Sequence, residues 1–401
     1  MSAASFKPLR DLCAFRHGGT PPKSNARFWA GDIPWVSPKD MKQAVIDCTT
    51  DYISAEAVEN SATSIVPPGS ILLVVRSGIL AHSFPIAQVG RPVAFNQDIK
   101  AATPISDEVV PDYLYWFLRS ESLNVVARGV KKGATVHSVQ SGFIESLMVP
   151  LHSLEVQRSI VDLLTRAEGI VRLRREAQQT AAELIPAIFN DMFGDPETNP
   201  KNWPVVPMRE LVNSFRYGTS QKSGSVGIPV LRIPNVVDGA IDITEVKLVS
   251  LKPAELERLR LLDGDLLFVR TNGNPEFVGR CSVYASRVLT AAGHDGGDCV
   301  YASYLIRARL ADSRVSPVFL QAYLSSDRGR RLLRERAKTS AGQYNLNVEG
   351  LGSLPVPVVP GALQKAFCEH VQSIKSVMER QADALAKANA SCNALLYRAF
   401  N

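Results

Sequence analysis

The chain has 401 residues, 45% hydrophobic and 21% charged, which predicts two or three globular domains of about 150 residues each. No apolar run approaches the roughly 18 residues that span a bilayer, and the N-terminus lacks the apolar core of a signal peptide, so we expect a cytoplasmic protein without membrane association. The net charge of +6 permits a polyanionic partner, and six scattered cysteines without a Cys-x-x-Cys pair argue against a disulfide framework and a zinc site.

An internal repeat, with an offset of roughly 195 to 207 residues, organises the chain. The segments that repeat are Leu9–Leu12 with Met208–Leu211, Gly18–Thr20 with Tyr217–Thr219, Pro68–Arg76 with Leu262–Arg270, and Pro111–Leu118 with Pro317–Leu324. A solenoid unit has a much shorter period, of about 20 to 50 residues. The repeat therefore predicts two copies of a whole domain, each followed by a long helix.

The first copy, residues 1–152, is predicted to be a mixed domain of short strands and helices. The apolar run Ser70–Val75 lies between Pro-Gly and Ser-Gly signals, which is typical of a buried strand. Pro111–Ser120 is predicted to be a helix with an aromatic face.

Residues 153–196 are predicted to be a single long helix. Glycine almost disappears, and apolar residues recur at steps of three and four, which indicates a heptad seam. Pro186 is expected to kink or interrupt this helix, and Met192–Pro196 to end it. The predicted seam consists of Ile160, Leu163, Ala167, Ile170, Ala177, Ala181, Leu184 and Ile188.

Residues 197–360 are predicted to repeat the mixed domain, and residues 361–401 the helix. A lone amphipathic helix is marginal in water, so we expect the two helices to pack antiparallel as a coiled-coil spacer. The predicted fold class is α+β, with two similar mixed α/β domains joined by two long antiparallel helices in a pseudo-twofold repeat. Periodicity alone leaves open an ordinary structural or oligomerising coiled coil. The second predicted seam consists of Phe367, Val371, Ile374, Met378, Leu385, Ala388, Cys392 and Leu395.

The sequence contains no catalytic motif that we recognise. It lacks a phosphate-binding loop, a dinucleotide fingerprint and a His-Glu-x-x-His pair, and its six histidines are isolated. Asn274-Pro275-Glu276-Phe277 resembles the Asn-Pro-Pro-[Phe/Tyr] loop of DNA adenine methyltransferases, but Glu276 replaces the second proline. Asp238, Glu245 and Lys247 match a metal nuclease pattern only loosely. We therefore predict a protein that is not an enzyme.

Polar loops at equivalent places in both halves are better candidates for binding. Each combines cationic or amide side chains with a glycine that allows close approach of the backbone. Arginine pairs bidentately with guanine or phosphate, and asparagine with adenine, although solvated turns would have the same composition. The candidate DNA contacts are Lys23, Arg27, Arg76, Ser77, Lys131, Lys132, His137, Gln221, Lys222, Arg232, Arg270, Asn272, Asn274, Gln343, Asn345 and Asn347.

The chain resembles the specificity (S) subunit of type I restriction–modification systems. The resemblance covers essentially the whole chain in the order domain, helix, domain, helix. Single motifs are loose, but the duplicated layout is specific. The segments that carry it are Leu9–Leu12 with Gly18–Pro21, Asp32–Val36, Gly264–Arg270, Pro150–Val161 continuing to Met192–Pro196, and Asn345–Asn347 with Leu354–Pro357.

The resemblance implies a double-stranded DNA target in two parts, with one target recognition domain reading each half. It implies two methyltransferase (modification) subunits docked on the spacer helices, through residues such as Ile160, Leu163, Phe367 and Leu395, and restriction subunits joining the complex. S-adenosylmethionine would be bound by the methyltransferase partner, so this chain would hold no cofactor. A modification-only DNA-binding adaptor and a structural coiled-coil scaffold remain as alternatives.

Overall fold

The computed structural model describes residues 5–133, 136–237, 239–291, 297–311, 314–340 and 342–400. The chain forms two compact units: residues 1–175 together with 383–401, and residues 176–382. Each unit therefore contains a mixed domain and one end of each long helix. The finer division at residues 152, 196 and 360 stays a prediction.

The strands of the first unit are short. They are β1 (Ser5–Pro8), β2 (Cys13–His17), β3 (Ile33–Val36), β4 (Val45–Ile46), β5 (Asp51–Ile53), β6 (Ile65–Val66), β7 (Ile71–Val74), β8 (Arg76–Ser77), β9 (Ile86–Val89), β10 (Val93–Phe95), β11 (Ile99–Pro104), β12 (Val130–Lys131), β13 (His137–Val139) and β14 (Met148–Leu151). As predicted from Ser70–Val75, β7 is a buried strand.

The strands of the second unit follow the same order. They are β15 (Val205–Pro207), β16 (Val212–Tyr217), β17 (Ile228–Leu231), β18 (Val236–Val237), β19 (Ala240–Ile241), β20 (Lys247–Val249), β21 (Leu266–Val269), β22 (Thr271–Asn272), β23 (Cys281–Val283), β24 (Val300–Tyr301), β25 (Leu305–Leu310), β26 (Lys338–Ser340), β27 (Gln343–Asn345) and β28 (Pro355–Pro357).

The helices include the predicted aromatic one, which is buried over six consecutive residues. No helix among the described residues is long and apolar enough to cross a membrane. The helices are α1 (Ala55–Glu59), α2 (Pro111–Ser120), α3 (Ser122–Asn124), α4 (Ser141–Glu145), α5 (Leu154–Phe193), α6 (Pro253–Leu259), α7 (Arg287–Ala291), α8 (Pro317–Ser325), α9 (Asp327–Arg336), α10 (Val348–Gly352) and α11 (Gly361–Phe400).

The sheets repeat between the units. The order β2-β11-β7-β9-β4 in the first unit corresponds to β16-β25-β21-β23 in the second. The order β5-β3-β10-β6 corresponds to β20-β17-β24, and the equivalent pairs β3-β10 and β17-β24 are both parallel. The small sheet β12-β13-β8 corresponds to β26-β27-β22, and the pair β1-β14 to β15-β28. The predicted duplication of a mixed domain is therefore present in the strand order.

Backbone hydrogen bonds correct the register of the repeat by one residue. Val139 N donates to the Val75 carbonyl, and Leu346 N donates to the Arg270 carbonyl, both at 2.8 Å. Arg270 therefore occupies the position of Val75, and Thr271 that of Arg76. The sequence alignment of Arg76 with Arg270 was wrong because both strands end in similar apolar runs, which do not define register. In a strand, a shift of one residue turns a side chain to the opposite face.

Helix α5 is continuous from Leu154 to Phe193, so Pro186 does not interrupt it, and the alternative of a kink at Pro186 stays a prediction. Proline removes one hydrogen bond, but the following turn is held by packing: Phe189 and Phe193 are buried with Phe319 and Phe367 in one aromatic cluster. The helix ends as predicted, at Gly194, which has a φ of +85° and donates its N–H to the Asn190 carbonyl at 2.8 Å.

The seam of α5 differs from the prediction at every second position. Leu163, Ile170 and Leu184 are exposed, whereas the next residues, Leu164 and Val171, are buried. The sequence has adjacent apolar residues at these positions, so steps of three-then-four and four-then-three fit equally well. Packing buries the second residue of each adjacent pair. The apolar side chains that remain exposed are Val156, Leu163, Ile170, Leu173 and Leu184.

The two long helices meet in opposite directions inside each unit. In the first unit, Ile160 and Val161 of α5 share a core with Leu395 and Phe400 at the end of α11. In the second unit, Phe189 near the end of α5 lies 5.6 Å (ring centroids) from Phe367 at the start of α11. Further along α11, Val371 and Ile374 are buried and Leu385 is half-buried. The predicted α+β fold with long antiparallel helices is thus the observed one.

A buried glutamine ties each long helix to its own domain. Gln157, the fourth residue of α5, accepts from Val110 N at 2.9 Å and donates to the carbonyls of Glu108 (2.8 Å) and His152 (2.9 Å). Gln364, the fourth residue of α11, accepts from Ser316 N at 2.7 Å. Its Nε2 donates to the carbonyls of Arg314 and Val359, at 2.6 and 2.9 Å. Each side chain thereby satisfies three backbone groups at the junction between domain and helix.

Replacing Gln157 with leucine should destabilise the first unit. The substitution keeps the side-chain volume but leaves one N–H and two carbonyls without partners, and a buried unsatisfied group costs about 1–3 kcal/mol. We expect Gln157→Leu to lower the free energy of unfolding by about 3 kcal/mol in a urea titration. Gln179→Leu, at an exposed position of the same helix, is the control. Equal stability of the two variants would contradict the role assigned to Gln157.

Candidate nucleic-acid interface

In the first unit, the small sheet β12-β13-β8 brings predicted residues together. Arg76 and Lys131 both pair with Ser138, from opposite sides of the central strand. Directly opposed residues in a sheet have Cβ atoms about 5 Å apart and share a face. Ser77 pairs with His137 in the next row, which faces the other way. The result is one row of two cations flanking a hydroxyl.

The cations of this row are open to solvent. The Arg76 side chain is 62% exposed, and its Nε lies 3.8 Å from an Asp98 carboxylate oxygen, so the contact is a weak one. Lys131 and Lys132 are exposed, and neither has an ion-pair partner within the described part of the chain. His137 accepts at Nδ1 from Gly133 N at 3.2 Å, which fixes its ring against the start of the loop.

Two further loops lie next to Arg76. Thr20 Oγ1 is 2.5 Å from Gln97 Oε1, and Gln97 is adjacent to the Asp98 that contacts Arg76. Gly18 cannot be replaced here, because a Cβ would collide with the carbonyl oxygens of Phe95 and Asn96. Further along the first loop, Lys23 and Arg27 are exposed, and Asn25 holds the turn by accepting from Arg27 N at 3.2 Å.

In the second unit, the equivalent sheet β26-β27-β22 presents mainly neutral polar groups. Thr271 and Lys338 both pair with Asn345, and Asn272 pairs with Tyr344. Thr271 Oγ1 is 3.1 Å from Oε1 of the exposed Gln343. Gly218 makes the same close approach as Gly18, against the carbonyls of residues 301 and 302. The backbone frame is thus shared, and the side chains on it differ.

Arg270 directly precedes β22 and occupies the position of Val75, so its side chain faces the opposite way from that of Arg76. Its guanidinium lies 4.6 Å from the ring centroid of Tyr217, and its NH1 is 3.4 Å from the Ser303 carbonyl. Arg270 is half-buried, and this cation–π contact fixes the guanidinium. Its role as a DNA contact stays a prediction.

The predicted asparagines divide between exposed turns and structural caps. Asn272 Oδ1 accepts from Asn274 N, and Asn274 Oδ1 accepts from Glu276 N, both at 2.9 Å. Their amide nitrogens have no hydrogen-bond partner in the described residues. Asn347 is the N-cap of α10 and accepts from Gly350 N at 2.7 Å. We therefore assign Asn347 a capping function in the fold.

Three other candidates lie on the remaining loops of the second unit. Gln221 and Lys222 are exposed. Arg232 is half-buried and pairs with Glu245 at 3.0 Å. Hydrogen bonds lower the pKa of Glu245, the larger effect coming from Lys247 and the smaller from Arg232. The carboxylate is therefore ionised at neutral pH and forms an ion pair with Arg232 within the protein. Of the other patterns singled out from the sequence, Asp238 and His294 lie outside the described residues.

Sequence reasoning missed several side chains of the two small sheets. Lys338 occupies the place of Lys131, and Ser138, Tyr344 and the exposed Gln97 complete the surfaces. Lys338 directly precedes the polar loop recognised in the sequence, so an alignment with the correct register would have included it. Over the described residues, no cluster of three His, Cys, Asp or Glu could hold a metal ion.

Comparison with known proteins agrees with this arrangement. The family profile of the type I restriction modification DNA specificity domain matches residues 1–182. The chain is 34% identical over 180 residues to the EcoR124I/EcoR124II specificity subunit of Escherichia coli, covering 45% of this chain and 44% of that protein. It is 26% identical over 306 residues to the E. coli EcoKI specificity subunit, covering 72% and 64%. These matches therefore span less than two thirds of either relative.

Longer matches cover the second half as well. The StySPI specificity subunit of Salmonella potsdam is 23% identical over 98% of this chain and 87% of its own length. The M. genitalium type I S subunit shares the fold, with a TM-score of 0.55 at 14% identity over 99% of this chain and 96% of that one. A chain from a solved type I restriction–modification structure gives 0.61 at 16% identity, covering 100% and 98%.

The fold is shared with solved type I restriction–modification specificity chains. Residues 1–182 match the type I restriction modification DNA specificity domain, and the chain as a whole is similar to type I specificity subunits.

Removing the exposed lysines of the first small sheet should weaken DNA binding in a salt-dependent way. Each phosphate contact contributes about 0.9 to the slope of log K against log salt, so Lys131→Ala with Lys132→Ala should reduce that slope by about 2. Fluorescence anisotropy on a random-sequence duplex at several salt concentrations measures it. The control replaces two exposed helix lysines, Lys365→Ala with Lys387→Ala. Identical slopes for the two double variants would contradict phosphate contact by Lys131 and Lys132.

Proposed function

We propose that this chain is the DNA sequence-specificity subunit of a type I restriction–modification complex. In this proposal each unit reads one half of a bipartite double-stranded target. The observation that carries it is the pair of equivalent small sheets, β12-β13-β8 and β26-β27-β22, with one backbone frame and different exposed polar side chains. Two copies of one frame with different chemistry are what reading two different half-sites requires.

On both surfaces, different kinds of side chain would supply the affinity for DNA and the preference for a sequence. Exposed cations such as Arg76, Lys131 and Lys338 would neutralise phosphates and supply most of the binding free energy. Amide and hydroxyl groups at the same edges would contact base edges, because only base contacts distinguish one sequence from another. Nothing in this division requires the chain to perform chemistry, so we propose that it is non-catalytic.

We further propose that two methyltransferase subunits dock on the long helices and that restriction subunits join this core. Support comes from α5 in the first unit, where Val156, Leu163, Ile170 and Leu173 are exposed apolar side chains on a helix that already buries its other face. Apolar surface of this kind commonly marks a protein interface. The methyltransferase partner would bind S-adenosylmethionine and methylate adenines, and this chain would bind no cofactor.

Methylation mapping is the first test of the proposed function. Genomic DNA is sequenced from cells that express the modification subunit with or without this chain. We expect adenine methylation at one bipartite motif, present only when the chain is expressed. A control strain expresses the chain without the modification subunit and should show no methylation. Absence of a motif, with the complex shown to assemble, would overturn the proposal.

The helices should also set the length of the unspecified spacer in the target. Each is 40 residues long, which corresponds to about 60 Å, and half-sites one DNA turn apart are separated by about 34 Å. Deleting one heptad from both helices, residues 170–176 and 380–386, keeps the seam in phase. We expect the mapped motif to have a shorter spacer, by about three base pairs, or binding to be abolished. An unchanged spacer would contradict this role for the helices.

A further inference from the structure

The loop that follows β22 is held by a chain of hydrogen bonds that begins at the candidate interface. Asn272 accepts from Asn274 N, and Asn274 accepts from Glu276 N, both at 2.9 Å. Phe277 N donates to the Asn274 carbonyl at 3.0 Å, and the guanidinium of Arg280 lies 4.0 Å from the ring centroid of Phe277. The Asn-Pro-Glu-Phe sequence, which looked like a fragment of a catalytic motif, is therefore a structured turn beside the small sheet.

Two arginines of helix α9 hold this turn through hydrogen bonds. Arg334 NH1 donates to both carboxylate oxygens of Glu276, at 2.6 and 2.8 Å. Arg330 NH2 donates to the carbonyls of Glu276 and Val278, both at 2.9 Å. Glu276 is thus bound through its carboxylate by one arginine and through its backbone by the next arginine on the same helix face. We call these three residues, Arg330, Arg334 and Glu276, the arginine clamp.

Among the described residues of the first unit, the clamp has no counterpart. Counting from the first residues of α2 and α8, the positions of Arg330 and Arg334 correspond to Asn124 and Arg128. The register of the repeat places Ala81 at the position of Glu276. An alanine cannot accept from an arginine, so the carboxylate half of the pair is missing. The clamp is therefore a feature of the second unit, and the shared fold does not demand it.

We propose that Arg330 and Arg334 are positioning residues for DNA reading by the second unit. Through Glu276 they hold the turn that carries the unpaired amide nitrogens of Asn272 and Asn274 at the edge of the small sheet. This inference deepens the proposed function and rests on it. The first unit presents cations at its edge, for which exact placement matters less, because phosphate attraction acts over a Debye length of about 10 Å. Amides discriminate only through short, directed hydrogen bonds, so they need a fixed backbone.

The test replaces Arg334 with glutamine in the full chain, expressed with the modification subunit, and maps the methylated motif. The half-site read by the second unit is first assigned as the half that Gln97→Ala and Ser138→Ala, at the exposed polar edge of the first unit, leave unchanged. We expect Arg334→Gln and Glu276→Gln to relax base preference in that half, with methylation of the cognate motif falling about tenfold or more. The other half should keep its sequence. A general loss of stability would not relax one half selectively.

Two further variants sharpen the experiment. Arg331→Gln is the matched control, because Arg331 lies on the same helix but pairs with Glu197, outside the turn. The charge exchange Glu276→Arg with Arg334→Glu should recover at least part of the preference that either single substitution loses. Melting temperatures of Arg334→Gln and Arg331→Gln should agree, which shows that the effect on the motif is local.

The outcomes separate the clamp from the proposed function. If the unsubstituted chain directs no bipartite motif, the proposed function fails and the clamp proposal fails with it. If the unsubstituted chain directs a motif and Arg334→Gln methylates the same motif at the same level, the clamp proposal alone is overturned. Equal weakening of both halves would also overturn it, since that result indicates a structural role only.

Discussion

The buried glutamine at the fourth residue of each long helix is the interaction on which the arrangement of each unit depends. Gln157 and Gln364 each bind three backbone groups, two of them in the connection that precedes α2 or α8. Such a bond set fixes the rotation of the helix about its axis as well as its position. Rotation decides which stripe is buried. It is why Leu164 packs in the core while its neighbour Leu163 is exposed.

The two units share one backbone arrangement and differ in the side chains at the edges of their small sheets. Gly18 and Gly218 let two backbone segments touch where a Cβ would collide with carbonyl oxygens, so both units hold their loops at the same place. On this frame the first unit carries Arg76 and Lys131, and the second carries Thr271 and Lys338 around Asn345. The side chains at the edge of each small sheet can differ without destabilising the core, since they are largely solvent-exposed.

Much of the positive charge is committed to structure. Arg309 makes two 2.7 Å bonds to the buried Asp265, and these bonds raise the pKa of Arg309. Burial lowers the pKa of Arg307, which donates to the Arg260 carbonyl at 3.2 Å. Lys100 is buried, pairs with Glu145 and lies over the ring of Phe15. The net charge of +6 therefore does not locate a binding surface. The candidate cations of the small sheets, Arg76, Lys131 and Lys338, are instead exposed.

The sequence by itself determined the duplication, the mixed α/β class, the two long helices and the stop at Gly194, because each rests on local patterns of apolar spacing, glycine and proline. It could not determine the phase of the α5 seam, since Leu163–Leu164 and Ile170–Val171 offer two equivalent stripes. Sequence alone aligns Arg76 with Arg270, which is one residue out of register, because register depends on hydrogen bonds between distant strands. Only the tertiary structure placed Arg334 against Glu276, 58 residues apart, since such a pair leaves no periodic trace in the chain.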